Sequence, residues 1–166
     1  MKKDKNQLNF MRQGIYSLVI FLSEEITLKI GKLGFHRFPK GYYVYTGSAL
    51  GKGSTNLKNR LTRHLRKNKR KFWHIDYLLA SEKSSIGAII AVQTSENKEC
   101  ILNNFLQSLE GTKVQVNGFG SSDCKNKCLA HLLFFPGLSK KECLVNEILA
   151  YLSSEMRIKN IDVIYY

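Results

Sequence analysis

Apolar residues run unbroken in some stretches of the chain and recur at three or four in others. Gly14-Ile15-Tyr16-Ser17-Leu18-Val19-Ile20-Phe21-Leu22 is such a run, rich in strand formers, and predicts a mostly buried first strand. Ser23-Glu24-Glu25 reads as a turn. Residues 26–30 alternate apolar and polar, so they are expected to pair back onto the first strand as a hairpin. Residues 31–41 read as a loop, and 42–46 as the third strand of an antiparallel meander. Leu57, Leu61 and Leu65 then recur every fourth residue, which predicts a helix with one apolar stripe. Arg60 and His64 share a face of that helix, beside the stripe.

Residues 72–79 fit a strand or a helix, and 86–93 predict a strand. A second helix is expected over 96–109, with Ser95 as N-cap and a stripe of Ile101, Leu102, Phe105, Leu106 and Leu109. Glu99 lies at the margin of that stripe, within reach of a site, whereas Glu96 should face water. Residues 118–124 read as a loop and 132–135 as a short strand. Ser139 and Glu142 form a capping-box signal before a helix carrying Val145, Ile148, Leu149, Leu152 and Met156. Residues 161–166 suggest a final strand. The pattern predicts one α/β domain: a small, mainly antiparallel sheet flanked by helices. A polar segment (1–11) precedes it, and a C-terminal helical extension (136–166) packs on it.

The net charge of +13 changes the picture through its location. Residues 26–75 contain no Asp or Glu, yet hold 13 of the 26 Lys and Arg residues; elsewhere basic and acidic residues balance. A one-sided field of this kind suits a polyanion, with nucleic acid, and DNA first, as the expected partner. No apolar run reaches the roughly 18 residues of a membrane span, and no basic helix has a strongly apolar opposite face, so no membrane partner is expected. No signal-peptide pattern follows the polar start, which points to a cytoplasmic protein with reduced cysteines.

Cys124-x3-Cys128-x2-His131 supplies three zinc-type ligands, and a fourth would come from a distance, for example His74 or Cys143. Buried thiols beside a core histidine explain the same residues. His74 and Asp76 would share one face of a strand and join a site there; a structural pair beside Trp73 and Tyr77 is the alternative. Gly47-x3-Gly51-Lys52-Gly53 is one residue short of a P-loop and ends in Gly rather than Ser or Thr, which argues against nucleotide binding.

Gly14-Ile15-Tyr16, Tyr45-Thr46-Gly47 and the Arg60-x3-His64 pair, followed by Glu99, resemble in order and spacing the signatures of the GIY-YIG nuclease superfamily. Lys40-Gly41-Tyr42-Tyr43-Val44-Tyr45-Thr46-Gly47-Ser48-Ala49, Trp73-His74-Ile75-Asp76-Tyr77-Leu78, Glu99-Cys100 and Phe119-Gly120-Ser121-Ser122-Asp123-Cys124 are similar to a branch of it found stand-alone or fused to a DNA-repair glycosylase. The resemblance covers residues 12–135. It implies metal-dependent cleavage of DNA, in repair or recombination, with a repair protein as a further partner. It also implies that Tyr16 or Tyr45 acts as general base or holds the attacking water, that Arg60 binds the scissile phosphate, and that Glu99 holds Mg²⁺ or Mn²⁺. His64 would orient the water or share its proton, with His74 joining the site. Gly47 would let backbone approach the phosphate. Lys58, Arg63, Arg66, Lys67, Lys69, Arg70 and Lys71 would contact the nucleic-acid backbone without reading sequence. A non-catalytic nucleic-acid-binding module and a protein-interaction domain are the alternatives.

Overall fold

The computed structural model describes residues 13–166; the polar segment 1–11 lies outside the described residues. The elements in chain order are β1 (Gly14–Leu22), β2 (Ile26–Lys29), β3 (Phe35–Phe38), β4 (Gly41–Ala49), α1 (Leu57–Leu65), α2 (His74–Leu79), β5 (Ser84–Gln93), α3 (Glu99–Ser108), β6 (Leu132–Phe135), α4 (Lys141–Ser154) and β7 (Ile161–Tyr165). Five strands form one sheet in the order β6-β4-β1-β5-β7, with every pairing antiparallel.

β1 is apolar but for the buried Ser17 because both of its faces are covered. Tyr16, Leu18, Ile20 and Leu22 pack with Leu57 and Leu61 of α1 and Ile75 and Leu78 of α2. Ile15 and Val19 point the other way, toward Leu102 and Leu106 of α3 and Leu144, Val145 and Ile148 of α4. The period-two alternation of the strand thus sorts its side chains between two helical layers.

Several expectations need correction. β2 does not pair with β1; it pairs with β3 in a separate two-stranded sheet. The expected loop over 31–41 contains β3, and Gly31 and Gly34, at φ +46° and +85°, make the reversal, closed by Ile30 N–H donating to Gly34 O at 2.8 Å. Residues 74–79 form helix α2, one of the two forms open for 72–79, because Ile75, Leu78 and Leu79 bury one helical face. α3 starts at Glu99, not at residue 96, and Ser95 does not cap it. Ile101 is half exposed, while Cys100 and Asn103 turn inward instead. α4 starts at Lys141 without a side-chain cap, so the Ser139/Glu142 box does not form.

The C-terminal segment is more than a helix laid on the domain. β7 adds to the sheet beside β5, and Lys141 Nζ donates to Gly87 O (2.9 Å) and Tyr166 O (2.7 Å), joining α4 to both strands. Among the described residues, no helix is long and apolar enough to cross a membrane.

Candidate functional site

The β1–β4 register places Tyr16 opposite Gly47 and Leu18 opposite Tyr45, so the two tyrosines are diagonal neighbours on one face. Their ring centroids lie 6.5 Å apart. A Cβ built on Gly47 would come within 2.5 Å of the Tyr16 hydroxyl oxygen, so the missing side chain here makes room for the phenol. Its use is close packing, in addition to its place on the cleft wall. Gly120 plays the same part for Tyr45: its Cβ would meet the ring at 2.9 Å, at a φ of +72°.

His64 is buried, not beside the stripe but on the inner face of α1 with Leu57 and Leu61. It lies three residues after Leu61, which puts the two side by side on a helix. Its Nε2 is 2.7 Å from Tyr16 Oη in a hydrogen bond. Burial moves the partners in opposite directions. It drives the Tyr16 phenol well above its ordinary value, with the neighbouring Tyr45 phenol adding to the rise, and lowers the His64 imidazolium to about 3, helped by Lys69. The pair therefore stays neutral at physiological pH, with the phenolic proton in place. Burial likewise raises Tyr45.

This neutrality has a measurable cost in acid. His64 titrates near 6.5 in the unfolded chain and near 3 in the fold. Its contribution is full above pH 6.5 and is lost as the pH falls from there toward 3, because only the unfolded state takes up the proton. At pH 5 the loss should reach about 2 kcal/mol. Burial depresses His74 and His131 as well, so the His64 share is the difference in slope between wild type and His64→Gln. Urea unfolding between pH 5 and 7.5 checks it.

Arg60 and Arg63 sit over the ring of Trp73, with guanidinium carbons 4.7 and 4.9 Å from its centroid. Arg60 also donates to the Ser48 carbonyl, while its buried Nε–H has no partner. Arg63 is committed to structure: it donates to Asp76 Oδ2 at 2.6 Å and to Arg70 O at 2.8 Å. Asp76 is fully buried and also accepts from the N–H groups of Phe72 and Trp73. Burial alone would raise this carboxyl; those hydrogen bonds, Arg63 and Lys69 outweigh it and hold the value low. Asp76 is thus the structural anchor of the 63–76 segment rather than a site residue. Asp76→Ala should cost about 3–5 kcal/mol in urea unfolding at neutral pH, because it strands a buried cation.

The other basic residues divide in two. Lys67 Nζ donates to the carbonyls of Leu79, Ser81 and Ser84, and Lys69 Nζ to those of Arg63 and His64, so both ammonium groups are engaged within the chain rather than held out for phosphates. Lys71 lies over the Tyr77 ring, and Lys58 is half buried. Arg66 and Arg70 are exposed.

A cleft of about 760 Å³ opens beside this aromatic group. Tyr45, Gly47, Arg60, His74, Glu99 and Asp123 line it, whereas Tyr16 and His64 sit behind Tyr45 and do not reach its surface. His74 Nδ1 accepts the Gly120 N–H at 3.1 Å, which leaves the proton of the neutral ring on Nε2. On the same wall Cys100, Cys124, Cys128 and His131 bring their ligand atoms within 4.8 Å of one another. Cys100 Sγ is 3.4 Å from Cys124 Sγ and 3.9 Å from His131 Nε2. A tetrahedron with metal–sulfur bonds of about 2.3 Å has edges of roughly 3.8 Å, so these donors could hold a metal ion with little movement. Without one, burial and the neighbouring thiols push Cys128 up to about 12. The expected fourth ligands are not in the cluster: Cys143 is exposed on α4, and His74 faces the cleft elsewhere. Asn103, one turn after Cys100, donates to Ala130 O at 2.8 Å and so fixes the backbone beside His131.

The sequence model of the family described as "Domain of unknown function DUF123" matches residues 15–154. The chain belongs to the DUF123 family. No curated protein and no solved structure matches it. The DUF123 match runs from β1 through α4, so it takes in both tyrosines, Arg60, Glu99 and all four donors of the cluster. It also takes in α4, which the sequence reading had placed in an extension. Two participants were not read from the sequence alone: Cys100 as fourth donor, and Trp73 as the ring that carries Arg60. The adjacency of Cys100 to Glu99 was the available signal for the first.

Proposed function

We propose that this DUF123 domain is a GIY-YIG-type nuclease that hydrolyses DNA phosphodiester bonds with the help of a divalent metal. The observation that carries the reading is the convergence of Tyr45, Arg60 and Glu99, which come from β4, α1 and α3, on one cleft with the Tyr16–His64 pair directly behind. Arg60 is suited to the scissile phosphate. Its guanidinium is fixed by Ser48 O and the Trp73 ring, and its buried Nε–H still lacks an acceptor.

Tyr45 keeps its proton, so its hydroxyl positions the attacking water or donates to a phosphate oxygen rather than starting as a phenolate. Tyr16 and His64 hold the Tyr45 ring from behind, with centroids 6.5 and 6.1 Å away. His74 presents Nε2–H, which can donate to a phosphate or leaving-group oxygen. Glu99, with Asp123 in the same cleft, offers the hard oxygen donors that Mg²⁺ or Mn²⁺ requires. Bound there, such an ion supplies an activated water and offsets charge on the phosphate. The Cys100/Cys124/Cys128/His131 set is closed and soft, which suits a structural zinc holding α3 against the 118–131 segment.

The test is to incubate zinc-replete protein with plasmid, branched and single-stranded DNA. Strand scission with Mg²⁺ or Mn²⁺, none with EDTA, and a fall of at least about 100-fold for Arg60→Ala are expected. Absence of scission on every substrate, with DNA binding kept, would overturn the reading in favour of a non-catalytic nucleic-acid-binding module.

A further inference from the structure

Phe72 is 78% exposed, more than any other large apolar side chain among the described residues, and it lies at the edge of the cleft. Its N–H donates to the buried Asp76 carboxylate at 2.9 Å, and its ring meets Trp73 at 5.9 Å and 79°. Trp73 is in turn braced by Arg60, Arg63 and His64. The Phe72 ring therefore meets a braced indole edge-on, and no other ring or cation stacks on it among the described residues. A solvent-facing aromatic ring in a polar cleft contributes little to the fold and is well placed to receive a flat apolar partner.

The charge around it says which. The exposed Arg70 lies two residues before Phe72, and Arg60 borders the same Trp73 ring and lines the same cleft. A cation for a phosphate and an open ring for a base thus flank one indole, 4.7 and 5.9 Å from its ring centre. We propose that Phe72 is a stacking platform for an unpaired base, and that the DNA entering this cleft is single-stranded or carries an unpaired nucleotide beside the scissile phosphate. Within a duplex, away from its ends, each base face is covered by its neighbours, so only an unstacked base can lie on Phe72 there. The proposal deepens the nuclease reading, and rests on it, by naming the substrate class.

The experiment measures fluorescence anisotropy, without added divalent cation, for three labelled DNAs: a single-stranded oligonucleotide, the same strand with central abasic sites, and a blunt duplex. Wild type should bind the intact single strand most tightly. Phe72→Ala should weaken that complex by about 10-fold and leave duplex binding within about twofold, while Phe72→Tyr keeps both. Removing the bases should weaken the wild-type complex by a similar factor and abolish the difference between wild type and Phe72→Ala. Trp73, the only tryptophan in the chain, should change its emission when the intact strand binds and change less with the abasic one. An equal effect of Phe72→Ala on single strand and duplex, or no effect on either, would overturn the platform and leave the nuclease reading standing. Failure of the wild type to bind any of the three at low salt would overturn both.

Discussion

Glu99→Gln is expected to lower Mg²⁺-dependent cleavage by at least about 100-fold in single-turnover assays, with the Kd for DNA in metal-free buffer unchanged or tighter. The substitution keeps the shape, removes the charge and replaces one acceptor oxygen by an NH2 donor, which cannot ligate a cation. Glu99 is the first residue of α3 and half buried at the cleft wall, so its carboxylate is held by the helix rather than by an ion pair. In the proposed nuclease, affinity for DNA would come from Arg60 and the exposed arginines, and a neutral residue in place of an anion should not weaken it. Full activity in Glu99→Gln would mean that the cation is held elsewhere in the cleft, with Asp123 the next group to substitute.

The second large effect concerns the thiol cluster. The purified protein is expected to carry one zinc per chain, and Cys100→Ser to lower zinc affinity by at least about 100-fold in competition with a chromophoric chelator. Thermal unfolding should fall on the order of 10 °C, since binding free energy at such a site is folding free energy. Stripping zinc from wild type should reproduce that fall, and the variant should no longer respond to chelator. Cys143→Ser and His74→Ala change neither zinc content nor its affinity, because neither side chain belongs to the cluster. Cys100 directly follows Glu99, so loss of zinc should also lower metal-dependent cleavage.

The strands β1, β4, β5, β6 and β7 and the helices α1, α3 and α4 were legible because apolar runs and three-to-four spacing report local geometry directly, whereas the six residues of α2 are too few to tell helix from strand. Pairing was not. The alternation in β2 fits any partner, and Phe35-His36-Arg37-Phe38, set between glycines, gives little sign of being the strand that takes it. The two tyrosines, Arg60 and Glu99 were placed by motif order, and the structure brings Tyr45, Arg60 and Glu99 to one cleft while Tyr16 stays behind. His64 was set beside the stripe because a stripe counts only apolar residues; its hydrogen bond to Tyr16 is what admits an imidazole to the buried face. Lys67 and Lys69 read as phosphate ligands because a charge count does not show that backbone carbonyls of residues 63–84 surround them. Cys100 stands 24 residues from Cys124, and only the fold of the 118–131 segment onto α3 joins them.

The most direct measurement is single-turnover cleavage of an end-labelled branched DNA with single-stranded arms by wild type and Tyr45→Phe, with Mg²⁺ and saturating protein. Tyr45→Phe keeps the ring contacts to Tyr16 and His64 and removes only the hydroxyl of a ring that lines the cleft. The account predicts cleavage by wild type, a rate at least about 100-fold lower for Tyr45→Phe, and the same Kd for both. Equal rates for the two proteins, or no cleavage by either on bound DNA, would contradict it.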